Sequence, residues 1–134
     1  MSLAVVAVTA LLLSSAQDGH WSGRLDGGSK AAKVSFDVTR DGRRIERFRT
    51  TVSAFCVGPS IETNRIAILV VHVPRARVRR NGRFSAVYEP RGDDGGEYRI
   101  SGTLRGTRVR NGRVRVNVST CGGRDEWSAR RTSR

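Results

Sequence analysis

Three dipeptides, Asp41-Gly42, Asn81-Gly82 and Asn111-Gly112, constrain this chain more than any other feature. Both residues of each accept positive φ, which is what a two-residue hairpin turn demands. The flanks agree. Val34, Phe36 and Val38 alternate with Ser35, Asp37 and Thr39 before the first turn, and Val114, Val116 and Val118 alternate with Arg113, Arg115 and Asn117 after the third. Alternation with period two marks a sheet with one buried and one wet face.

The same rule places the remaining strands. Trp21 to Leu25 opens the domain. Ile45 to Cys56 is long, and its apolar phase slips from odd at Ile45 to even at Phe48, Val52 and Ala54, which predicts a bulge near Glu46-Arg47. Ile66 to Val73 is apolar on both faces, so it is covered twice or forms a contact surface. Phe84, Ala86 and Tyr88 define another strand. Tyr98, Ile100 and Leu104 define the next, and Trp127 and Ala129 the last. No window keeps a helical apolar period for three turns. The fold class read from this pattern is all-β, a small antiparallel up-and-down barrel of about eight strands, with a two-sheet β-sandwich as the alternative. Closure favours the barrel because it removes both edges.

Residues 1–16 read as a secretory signal peptide. Leu3 to Leu13 is apolar apart from Thr9, and the small residues Ser14-Ser15-Ala16 follow. The run is too short to span a bilayer, which takes about 20 apolar residues. Its n-region, Met1-Ser2, carries no cation, and a buried first element of the fold is the competing reading. Residues 17–130 then form a single β domain and residues 131–134 a flexible basic tail, with no transmembrane segment after cleavage. An exported chain with two cysteines, Cys56 and Cys121, is expected to join them. In the chain-entropy model a loop of that size contributes about 4 kcal/mol.

Lys and Arg number 25 against 12 Asp and Glu, a net charge of +13. Of these cations 23 are Arg, a bias that GC-rich codons also produce. The total still attracts polyanions. Strand phase assembles the best candidate site: Arg99 and Arg105 lie opposite Tyr98 and Ile100, and Arg113 and Arg115 opposite Val114 and Val116. Arg108 and Arg110 stand near the turn between these strands. If the strands are neighbours, the six form one anion-binding face, and guanidinium forks suit phosphate and carboxylate. No exposed aromatic residue accompanies them to stack on bases, which argues against sequence-specific nucleic-acid recognition.

No catalytic residues are assigned. The two histidines, His20 and His72, have no G-x-S-x-G partner, and the acidic pairs Asp93-Asp94 and Asp125-Glu126 read as solvated turn or strand-end residues. Neither a metal site nor a cofactor is expected, because no ligand-like spacing occurs.

Two resemblances accompany this reading. Gly19-His20-Trp21-Ser22-Gly23, Asn81 to Ser85 (N-G-R-F-S) and Trp127-Ser128-Ala129-Arg130-Arg131 resemble a pattern in small exported actinobacterial β proteins. That likeness implies fold and compartment and carries no activity. Gly19-His20-Trp21 is also similar to the G-x-W of calycins, the lipocalin and avidin barrels. That resemblance implies that Arg130 stacks over Trp21 to close the barrel and that a small apolar ligand occupies the mouth. The function expected is a secreted, monomeric, non-enzymatic binding module for an anionic polymer or envelope surface. A calycin-like carrier and an exported inhibitor of an extracellular hydrolase, acting through a loop at Val57 to Asn64, are the alternatives.

Overall fold

The computed structural model describes residues 16–27, 32–90 and 95–134. All of the expected leader except Ala16 lies outside the described residues, as does Asp93-Asp94. Eight strands follow one another: β1 Gly19–Leu25, β2 Lys33–Thr39, β3 Arg44–Cys56, β4 Arg65–Arg77, β5 Arg83–Tyr88, β6 Glu97–Arg105, β7 Arg108–Val118 and β8 Cys121–Ser133. A single 3-10 turn, Ile61–Thr63, interrupts the β3–β4 connection.

These strands make one antiparallel sheet in the order β4-β3-β2-β1-β8-β7-β6-β5. Consecutive strands pair, β4 and β5 excepted, and β1 pairs with β8, so the up-and-down meander curls into a ring. The sheet is not split into a sandwich. Its seam lies between β4 and β5, which meet through one bridge, Val78 to Phe84. The closing end of β3 runs past β2 and pairs directly with β8, placing Phe55 opposite Gly122 and Cys56 opposite Cys121. The two cysteines are bonded there, with Cα atoms 4.0 Å apart.

Alternation fills the interior as the sequence demands. Trp21, Val34, Phe36, Val38, Ile45, Phe48, Val71, Ile100, Leu104, Val114, Val116 and Trp127 are all buried. Four aromatic rings occupy the centre. Phe36 lies 5.7 Å from Trp21, 6.1 Å from Phe48 and 5.8 Å from Trp127, and Phe48 lies 5.3 Å from Trp127. Such pairs contribute about 0.5–1.5 kcal/mol each beyond burial.

The predicted bulge is present at Arg47, which has φ 54° and no partner in either flanking ladder. It restores phase, so that Ile45 and Phe48 both face inward. The bulge also aims Arg47 at Asp37, with Arg47 Nε donating to Asp37 Oδ2 at 2.8 Å. His20, directly across the β1–β2 ladder, lies 2.9 Å from the other oxygen. Burial opposes ionisation of Asp37. The hydrogen bonds and charges of His20 and Arg47 outweigh it and hold the carboxyl below its ordinary value.

Asp41-Gly42 and Asn81-Gly82 do turn the chain, but in loops longer than two residues, since Thr39 pairs with Arg44 and Arg79 N donates to Arg83 O. Three further expectations are corrected. Asn111-Gly112 is not a hairpin turn: β7 runs through it, and Arg105 pairs with Arg108, so the turn is Gly106-Thr107. Asn111, with φ 55°, forms a bulge instead, and the register of both ladders shifts beside it. Packing explains the choice. A Cβ on Gly112 would stand 2.6 Å from the Trp127 ring and 2.3 Å from its carbonyl oxygen, so this glycine gives the indole room.

The second correction concerns residues 131–134. β8 continues to Ser133, and Arg131 is held by three hydrogen bonds: its backbone N–H to Thr107 O, Nε to Asp18 O at 2.7 Å and Nη1 to Gln17 Oε1 at 3.1 Å. Third, Arg130 does not stack on Trp21. Trp21 points inward and Arg130, opposite Ser22, points outward; the residue across from Trp21 is Arg131.

The segment Ala16 to Asp18 covers this end of the ring. Ala16 packs against the core, Gln17 N donates to Gly106 O, and Trp21 Nε1 donates to Gln17 O at 3.0 Å. The Asp18 carboxylate accepts from the backbone of Asp41 and Gly42.

Candidate functional site

The sheet from β6 through β8 turns alternate residues outward, and register converts the arginines on it into rows. Arg99 lies directly opposite Arg115, and Arg115 directly opposite Arg124. Toward the other end of the same strands, Arg105 lies opposite Arg108 and Arg108 opposite Arg130. All six are exposed. Adjacent strands are about 4.8 Å apart, so each row holds three guanidinium stems at that spacing.

Between the rows stand Arg110, opposite Thr103, and Arg113, flanked by Ser101 and Glu126. The six arginines expected from strand phase are thus brought onto one face. Arg108 opens β7 directly after the Gly106-Thr107 turn, and Arg110 follows two residues on. Six residues separate the rows along β6 and β8, which at about 3.3 Å per residue places them about 20 Å apart.

Two surface grooves flank the rows. The larger, about 720 Å³, is lined by Arg113, Arg115 and Arg124 together with Asp26, Asp125 and Glu126. Asp125 is engaged locally, its Oδ1 accepting from the backbone of Gly27 and Glu126. The smaller, about 340 Å³, takes Arg24, Arg108 and Arg130 with the hydroxyls of Ser22 and Ser128, and no acid lines it. Arg99 donates to Glu97 at 2.8 Å. The remaining arginines of the rows form no ion pair among the described residues.

Sequence reasoning missed Arg124 and Arg24. Arg124 sits beside Gly122-Gly123 and Asp125-Glu126, which look like loop, yet it is strand residue four of β8. The signal was its outward parity with Ser128 and Arg130, readable only once Trp127 and Ala129 are fixed inward.

A different surface lies on the β3–β4 hairpin. Phe55 and Ile66 are directly opposite, and Ile68 and Val70 continue the same outward face. Ile66 is 74% and Ile68 67% exposed, so the outer face of this strand is not covered by any of the described residues. The Val57 to Asn64 connection is pinned internally: Gly58 N donates to Asn64 Oδ1 at 2.8 Å and Ser60 N to Thr63 Oγ1 at 3.0 Å. Ile61 at its tip is 88% exposed.

His72 is exposed on β4, opposite Arg49, away from any carboxylate partner among the described residues. The His20–Asp37 pair has Ser133 across the ladder from His20, but the Ser133 hydroxyl makes no hydrogen bond to the ring, and Arg47 holds the same carboxylate. No group of three metal-ligating side chains occurs among the described residues. No protein-family model, curated protein or solved structure matches the chain.

Proposed function

We propose that this protein is a secreted, non-enzymatic binding module that engages an anionic polymer or envelope surface through the β6–β8 face. The observation that carries the reading is the register of arginine against arginine. Like charges directly opposite in a sheet are destabilising, yet two rows of three occur on one face. A spacing of about 20 Å between rows suits an extended polymer better than a single small anion. The Cys56–Cys121 bond supports an oxidising compartment.

The test is binding of the mature chain to heparin and to a short single-stranded oligonucleotide across a salt series. Affinity that falls steeply with salt for both ligands supports the reading, and salt-independent or absent binding overturns it.

A second reading, inhibition of an extracellular hydrolase, draws on the internally braced Val57 to Asn64 loop with Ile61 at its tip, anchored at the disulfide. Loss of inhibition on Ile61→Asp, measured against a panel of secreted proteases, would support it, and no inhibition by the parent would remove it. The small-ligand carrier reading lacks comparable support, since aromatic rings fill the centre of the ring and Ala16 to Asp18 cover one end.

A further inference from the structure

The seam of the ring carries a separate basic site. Here Arg43 leaves the β2–β3 turn, Arg77 ends β4, Arg79 and Arg80 belong to the β4–β5 turn, and Ser85 faces outward from β5. Together they line a cleft of about 560 Å³ whose wall otherwise contains Val78 and no carboxylate. The backbone fixes the arrangement, because Val78 N donates to Arg43 O at 2.8 Å and Arg79 N to Arg83 O at 2.9 Å. Among the described residues none of the four arginines is in an ion pair. Nothing in the fold requires four cations to converge, and mutual repulsion there works against closure.

We infer that this cleft binds a terminal phosphate-type dianion. A carboxylate offers two oxygens and one charge. A phosphate monoester or free phosphate offers three or four oxygens and close to two charges, which matches guanidinium forks approaching from several directions with a serine hydroxyl beside them. The donors come from four chain segments, and β4 and β5 are otherwise joined by the single Val78–Phe84 bridge. An occupied cleft therefore ties the seam shut. The inference is independent of the β6–β8 face, since none of these arginines belongs to that face.

The experiment is thermal unfolding of the full chain in sodium phosphate against sodium chloride at equal ionic strength. A saturable rise in Tm with phosphate alone is expected, following the ligand-linkage form. Arg77→Gln with Arg79→Gln should abolish the rise, while Arg99→Gln with Arg115→Gln should leave it. Should the first pair fail to fold, Arg43→Gln with Arg80→Gln serves, as both side chains are exposed. An equal response to chloride, or an unchanged response in both cleft variants, overturns the proposal.

Two probes separate the sources of the phosphate group. A 5′-phosphorylated oligonucleotide that competes with inorganic phosphate, where its unphosphorylated twin does not, supports a terminal monoester. Equal competition by both assigns the cleft to backbone diesters and overturns the dianion.

Discussion

Arg115 of β7 stands directly across the ladder from Arg124 of β8 on the outer face, with no acid between them. An antiparallel sheet gains from opposite charges at such positions and loses from like ones. Removing the charge should thus separate binding from stability. Replacement of Arg99, Arg105, Arg113 and Arg115 by Gln should leave the fold intact and its stability equal or slightly higher. Heparin affinity should fall at least tenfold. On the single-stranded oligonucleotide, the salt slope should flatten by about 0.7 for each phosphate no longer neutralised. Denaturant titration and salt-dependent binding check both arms.

Gly112→Ala should destabilise the protein by about 3 kcal/mol, because the added carbon meets both the Trp127 ring and its carbonyl. Gly122→Ala is the internal control. Its nearest neighbour would be Val116 O at 3.9 Å, an ordinary van der Waals distance, so the change should stay within about 0.5 kcal/mol. Chemical denaturation of the two variants beside the parent tests the pair.

These glycines also mark where the sequence stopped being legible. Val34, Phe36 and Val38 announce their strand because alternation is local, and the Arg47 bulge shows as a slip of phase. Asn111-Gly112 carries the same local turn signal as Asn81-Gly82. Only the approach of Trp127, fifteen residues further along, turns it into a bulge. Ser119-Thr120 turns the chain between β7 and β8 without any glycine. Parity told which arginines face water, but which arginine faces which depends on ladder register, and that rests on the bulge. The direct β3–β8 pairing joins residues distant in sequence and had no local signal; only the expected Cys56–Cys121 bond pointed to it.

Asp37 should make the protein sensitive to acid. Its folded-state value lies below the ordinary one, so its contribution is present above the unfolded value and is lost as pH falls through the folded value. Asp37→Asn should therefore be less stable than the parent at neutral pH, and the gap should close on acidification. Unfolding at a series of pH values from 7 down to about 2 reads this directly; a gap that stays constant would contradict the assignment.

Ile68→Lys should cost little stability, within about 0.5 kcal/mol, because the side chain is mostly exposed. It places a charge on an end strand of the sheet whose segment from Ile66 to Pro74 has none. Charged edges resist strand-to-strand association. Retention on a phenyl matrix and self-association by sedimentation should both decrease relative to the parent.

The bond between Cys56 and Cys121 closes residues 56 to 121 into a covalent circle that contains β4, β5, β6 and β7. Thirteen of the 23 arginines lie inside that circle, and each is a target for a trypsin-like protease. A single cut after any of them leaves the two pieces joined through sulfur, so a nicked molecule keeps every strand within reach of its partner. In surroundings rich in proteases, the first scission becomes a change of connectivity rather than a loss of mass.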